Sequence, residues 1–169
     1  MILSIQTSGF LPDSYIYMIG MKTLKDFKIW GVWNFSSEKN MLEDFIEYFT
    51  STDDKIIIGF NILKFEIPMI LLKSQGLRGY EKLFKKINFS NFEDIFVILT
   101  FLNHGVIRGL EFYKKTYNIS TNLLSDREMF RLYQKGEYEK LDRAMKEKLD
   151  VINEIFLKLW GKIKEENND

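Results

Sequence analysis

Apolar residues in the first third of the chain gather into short runs rich in β-branched and aromatic side chains. Ile2 to Thr7 reads as a buried strand, punctuated by Ser8-Gly9 and Pro12-Asp13. Tyr15 to Met21 and Lys28 to Phe35 are two further runs of this kind, joined by the polar stretch Thr23 to Asp26. Together the three predict an antiparallel meander. Ser36 and Ser37 then offer N-caps to a helix from Glu38 to Phe49, whose Met41, Leu42, Phe45, Ile46 and Phe49 recur at helical spacing. A polar break at Thr50 to Asp54 follows. Lys55 to Phe60 is apolar on both faces, the pattern of a central strand in a parallel pair.

Beyond Asn61 the pattern turns helical. Glu66 to Gln75 predicts a helix with Pro68 in its first turn and Gly76 beyond its end. Gly79 to Ser90 is polar and basic, and reads as a loop or a short helix. Ile95 to Leu102 is an apolar run assigned to a helix because Asn91 or Asp94 can cap it. Gly109 to Tyr117 predicts a short helix, Asn118 to Ser125 a loop, and Asp126 to Lys135 a helix ended by Gly136. Glu137 to Lys164 is a long amphipathic helix. Strands first, then a strand-helix unit, then helices alone describe an α/β fold with a mixed sheet and helices on its faces. With no internal repeat or linker, the reading is one domain over residues 1–164 and a disordered charged tail over 165–169.

Composition narrows the chemistry. The 169 residues include 15 Phe, so aromatic packing should dominate a well-buried core. The absence of Cys excludes disulfides and thiolate metal sites, and a lone His104 cannot build a multi-histidine one. Any metal must then be a hard cation on carboxylates. Lys+Arg and Asp+Glu both number 24, a balance that argues against a protein coating DNA non-specifically but leaves a local basic groove open. The apolar stretch Met1 to Ile5 is too short for a signal peptide, and no apolar run approaches the ~18–20 residues of a membrane span. A soluble, cytoplasmic protein without a membrane partner is expected.

The segment Ile56 to Leu72 carries the most specific pattern. A buried strand ends in Gly59, Phe60 and Asn61, and Phe65, Glu66 and Pro68 follow. Asn61, Phe65, Glu66 and Pro68 resemble the second motif of the DEDD (DnaQ-like) 3′–5′ exonucleases, which reads Gly-Tyr-Asn, three residues, Phe-Asp and a Pro. Leu3 to Gly9 resembles the first motif, aromatic-Asp, apolar, Glu-Thr, small-Gly, with Thr7 and Gly9 kept, Ser4 at the Asp position and Gln6 at the Glu position. Arg131 to Phe156 resembles the third, with Asp150 on the terminal Asp and Lys146 and Met145 where a Tyr or His is expected. The resemblance runs through nearly the whole chain. It implies an RNase H-like exonuclease fold, a mixed sheet whose antiparallel meander is followed by parallel strands, with helices on both faces, as in polymerase proofreading domains.

By the same resemblance, two divalent cations about 3.5–4 Å apart clamp the scissile phosphate between four carboxylates. Ser4 offers a weak neutral ligand at the most important of these places, and Gln6 keeps the shape of Glu without its charge. Glu66 and Asp150 remain. Lys146, at the position of the general-base helper, is protonated at neutral pH. The expectation is therefore no metal and no confident catalytic residue, the vestigial site being Ser4, Gln6, Glu66, Lys146 and Asp150. Mg²⁺ or Mn²⁺ on Glu66 and Asp150 is the alternative if activity persists. Residue spacing alone leaves bland readings open. Glu66 can be a first-turn acid complementing a helix dipole. Asp150 lies nearly opposite Ile152 on the last helix, as a solvated face or a cleft would each have it. A buried Gln6, by contrast, must find hydrogen-bond partners.

Candidates for nucleic-acid contact are Thr7, Asn61 and Phe65, the basic residues Lys82, Lys85 and Lys86 near Arg78, and Lys114 and Lys115 between Tyr113 and Tyr117. Such clusters pair phosphates and stack bases, and solvated helix faces give the same pattern. Three functions follow. The first is an exonuclease-like domain, catalytically silent, that binds single-stranded DNA or RNA or a replication or repair protein. The second is an active metal-dependent exonuclease with an unusual ligand set. The third is a protein-interaction module forming a homodimer.

Overall fold

A computed structural model describes residues 1–166 apart from Phe10, Pro12 and Lys25, with side chains as far as Gly161. The Pro12 part of the first turn signal and residues 167–169 of the charged tail lie outside the described residues. Among the described residues one sheet has five strands in the order β3-β2-β1-β4-β5. They are β1 (Ile2–Thr7), β2 (Ile16–Lys22), β3 (Phe27–Gly31), β4 (Ile56–Gly59) and β5 (Asn91–Asp94). Strands β1, β2 and β3 form the antiparallel meander, in register from Ile2 opposite Lys22 to Gln6 opposite Met18 in the first pair, with a shift before Thr7 meets Ile16. β4 and β5 extend the sheet in parallel from β1. This is the mixed sheet expected of an α/β RNase H-like exonuclease fold.

Seven α-helices cover the sheet among the described residues: α1 (Glu38–Ser51), α2 (Ile67–Ser74), α3 (Tyr80–Asn88), α4 (Ile95–Leu102), α5 (Leu110–Thr116), α6 (Asp126–Gln134) and α7 (Tyr138–Glu166). Ser37 caps α1 by accepting from the Asn40 N–H, and a Ser125–Glu128 capping box opens α6. The core divides at the sheet. Leu3, Ile5 and Ile57 pack with Phe45, Ile70 and Leu83 of α1 to α3. Ile2, Tyr17 and Ile58 pack with Leu99, Met145 and Ile152 of α4 and α7. Because strand side chains alternate, Ser4 and Gln6 share the α7 face with Ile2. Helix α7 lies very close to β2: a Cβ on Gly20 would stand 2.4 Å from Met145 Cγ.

Two local readings change and one open alternative is decided. The third run stops at Gly31, and Val32–Asn34 forms a 3-10 turn. A Cβ on Gly31 would meet the Trp33 indole at 2.2 Å, and that indole stacks on Tyr138 of α7 at 4.5 Å. Trp33 is thus drawn off the strand by the helix. The Gly79 to Ser90 segment resolves as α3, burying Leu83 and Ile87. Strand β5 was not foreseen, since Asn-Phe-Glu-Asp lacks β-branched residues. It exists through its ladder to β4, which pairs Ile56 with Asn91 and Gly59 with Asp94.

Candidate functional site

Strand β4 ends where the sheet's C-terminal edge opens. Asn61 takes φ 65°, a left-handed conformation that Asn tolerates better than most residues. The chain then makes one π turn, Ile62–Glu66, before α2. Asp94 fastens this turn: its carboxylate accepts from the Asn61 N–H at 2.9 Å, the Leu63 N–H at 3.1 Å and the Phe96 N–H at 3.1 Å. Gly59 leaves the room the turn needs, since a Cβ there would lie 2.8 Å from Ile62 and 3.2 Å from Glu66 Oε2. Wide π turns of this sort recur at functional sites. Here the turn swings Glu66 inward, 4% exposed.

Glu66 meets β1 at that point. Ser4 Oγ donates to Glu66 Oε1 at 2.9 Å, and the Ile5 N–H donates to the same oxygen at 3.2 Å. Glu66 Oε2 is buried with no hydrogen-bond partner. Burial pushes the Glu66 carboxyl up to about 7. The Lys148 ammonium is the strongest influence in the opposite direction, followed by the bonds from Ser4 and Ile5.

Beside it, Gln6 finds the partners a buried amide requires. Its Nε2 donates to Asp126 Oδ1 at 3.1 Å, and its Oε1 accepts from the Tyr17 hydroxyl at 3.4 Å. Lys148 Nζ, on α7, donates to the same Asp126 oxygen at 3.3 Å. The ammonium holds the Asp126 carboxyl below the ordinary carboxylate range. Ile5, Glu66, Asp126 and Lys148 share a cleft of about 680 Å³ with Phe60, Asn61, Phe65, Phe96 and Arg108. Glu111 and Glu128 also line it, held by Lys114 and Lys115 and by Ser125. The aromatic rings with Arg108 and Lys148 leave a surface that can receive a flat base and its phosphate.

The structure gathers some of the residues singled out in the sequence and scatters others. Ser4, Gln6 and Glu66 converge, and Asn61 and Phe65 line the cleft. Asp150 does not join them: it pairs with Lys22 at 2.5 Å, at the end of β2 that lies opposite Ile2. Lys146 Nζ stands 5.8 Å from the centre of the Phe27 ring on β3. Thr7 Oγ1 closes its own turn by donating to the Gly9 carbonyl at 2.5 Å. Lys82 borders a groove between α1 and α3, and Lys86 donates to the Thr52 carbonyl at 2.6 Å. Lys85 lies in the last turn of α3. Lys114 and Lys115 both pair with Glu111, at 4.0 and 3.5 Å. The cations on the cleft are instead Lys148 and Arg108.

Lys148 and Asp126 escaped the sequence reading. The signal for Lys148 was present: four residues before Ile152, it lies within about 40° of that core residue on the helix. Asp150 lies on the far side. Asp126 gave no signal beyond its place at a helix start, because its partner Gln6 is 120 positions away.

The fold implies divalent cations at this end of β1, and the donors present do not fit them. Ser4 turns its hydroxyl proton to Glu66, Gln6 contributes an amide, and α7 contributes an ammonium. Among the described residues no three acidic or imidazole side chains converge as a cation site. An α/β sheet of this order, with an aromatic cleft at the Asn61 turn, defines an exonuclease-type domain. The family described as DNA polymerase family B, exonuclease domain, matches residues 12–121, and the chain belongs to it. Those residues include the Asn61–Glu66 turn, whereas β1 and α7 lie outside them. No curated protein matches the chain. Among the described residues no helix is long and apolar enough to cross a membrane.

Proposed function

We propose that this exonuclease-like domain holds single-stranded nucleic acid in its cleft without hydrolysing it, as a binding module of DNA or RNA metabolism. One observation carries the reading: Glu66 Oε1, the carboxylate oxygen facing β1, is engaged by the Ser4 hydroxyl and the Ile5 N–H at 2.9 and 3.2 Å. That oxygen is taken, and an ammonium stands nearby, which makes the pair of Ser4 and Glu66 a poor seat for a hard cation even though Oε2 has no partner. The cleft keeps what binding requires, with Phe60, Phe65 and Phe96 for stacking and Arg108 and Lys148 for phosphate. An active site on Glu66 and Asp150 finds no support, because Asp150 faces Lys22. The test is retardation of labelled single-stranded DNA and RNA by wild type and by Phe65→Ala. Retardation that weakens in the variant and with added salt supports the reading; no retardation at low salt overturns it.

A second reading has its own observation. Phe101 and Ile107 are 82% and 69% exposed, and with Val97 and Leu102 they make an apolar surface beside the cleft. Such a patch suits a protein partner or a second copy. Sedimentation at rising concentration tests it, and a dimer lost on Phe101→Asp is the supporting result.

A further inference from the structure

We propose that the side-chain ammonium of Lys148 is the resident cation of this cleft, standing where the fold would otherwise accept a divalent ion and excluding it. The inference rests on the reading of the cleft as non-hydrolytic and adds what replaced the ion. Lys148 projects from α7 to within 3.3 Å of Asp126 Oδ1, and its side chain is 14% exposed. Its charge acts on two of the cleft's acids: it is the leading influence on Asp126 and the strongest one favouring ionised Glu66. A lysine on the core-facing side of a long helix is uncommon unless it is paired. Here its partner arrives from α6, and Gln6 of β1 supports the same oxygen. Three elements, β1, α6 and α7, therefore meet at one carboxylate oxygen, and α7 supplies the positive charge there.

A divalent ion entering this cleft would meet an ammonium beside Glu66 and Asp126, the other lining acids, Glu111 and Glu128, being engaged by Lys114 and Lys115 and by Ser125. Coulomb repulsion from an ammonium at a few ångströms opposes its entry. Replacing the ammonium by a carboxylate reverses that sign and adds an anionic donor beside Glu66 and Asp126. Lys148→Glu is the informative change, because Glu retains more of lysine's reach than Asp does. Lys148→Met removes the charge and keeps the apolar stem.

The experiment titrates Mn²⁺ into wild type, Lys148→Glu, Lys148→Met and Lys148→Glu/Glu66→Gln. It reads the thermal midpoint together with paramagnetic broadening of the Ile5 amide signal. Wild type should show neither a saturable rise in midpoint nor selective broadening. Lys148→Glu should show both, with a rise of several degrees at saturation, and Glu66→Gln in that background should remove them. Lys148→Met should show weaker, selective broadening, which keeps the test alive should Lys148→Glu fail to fold. Saturable binding by wild type that broadens Ile5 would overturn the proposal. So would a folded Lys148→Glu, or failing that Lys148→Met, with no response to Mn²⁺. Retardation of nucleic acid is read on the wild-type protein in a separate experiment, so failure of the binding function and failure of the resident cation are distinguishable.

Discussion

Ser4 and Glu66 lie 62 positions apart in the chain and are joined by a buried hydrogen bond of 2.9 Å. The hydroxyl donates this bond and the carboxylate accepts it, so the pair is complementary as it stands. Two acids here would share one site, and one of them would have to stay protonated. Ser4→Asp is therefore expected to destabilise the protein by roughly 2–4 kcal/mol at about pH 8 without divalent cations, and by much less in mild acid. Urea unfolding at both pH values checks this.

Glu66 should make stability fall as pH rises. Its carboxyl is raised from 4.5 to about 7 in the folded protein. Below the lower value it is protonated in both states, and burial costs no charge. Between the two values only the unfolded chain releases the proton, and stability is lost. Above about 7 both states are ionised and the loss is complete, at roughly 3 kcal/mol. Glu66→Gln keeps the acceptor for Ser4 and Ile5, and is expected to remove most of this slope. Denaturation midpoints of both proteins across the range are the measurement.

Gly59 is the narrowest point of the motif. A Cβ would stand 2.8 Å from Ile62 and 3.2 Å from Glu66 Oε2, so the π turn must shift to admit it. Gly59→Ala is expected to cost roughly 1–3 kcal/mol and to weaken nucleic-acid retention together with stability. Thermal denaturation and gel retardation of the one variant test both parts.

Asp150 and Lys148 are two residues apart and should behave differently. Asp150→Ala breaks a partly exposed pair with Lys22, away from the cleft, and should cost less than about 1 kcal/mol with retention unchanged. Lys148→Ala leaves the cleft acids without their cation, and retention should fall by about tenfold. Titration of labelled oligonucleotide at fixed salt separates the two.

These residues also show how far the sequence could be read. Asn61, Phe65 and Glu66 were legible because one turn imposes their spacing, and Ser4 and Gln6 because strand alternation puts them on one face. The meander, its helices and the mixed sheet followed from periodicity and order. Strand β5 was hidden because its four residues carry no strand signal and are held by the β4 ladder alone. Asp126 was hidden because its role depends on Gln6 and Lys148, joined to it only by the fold. The basic stretches of α3 and α5 drew notice by density of charge. Density says nothing of direction, and three of the five lysines named there, Lys86, Lys114 and Lys115, have partners within the protein.

The most direct test of the account is a time course with 5′-labelled single-stranded DNA and RNA, in Mg²⁺ and in Mn²⁺, resolving cleaved strands and retarded complexes from the same samples. Wild type and Glu66→Gln run side by side. The account predicts retarded, full-length strands with either metal. Shortened strands produced by wild type and absent with Glu66→Gln would contradict it.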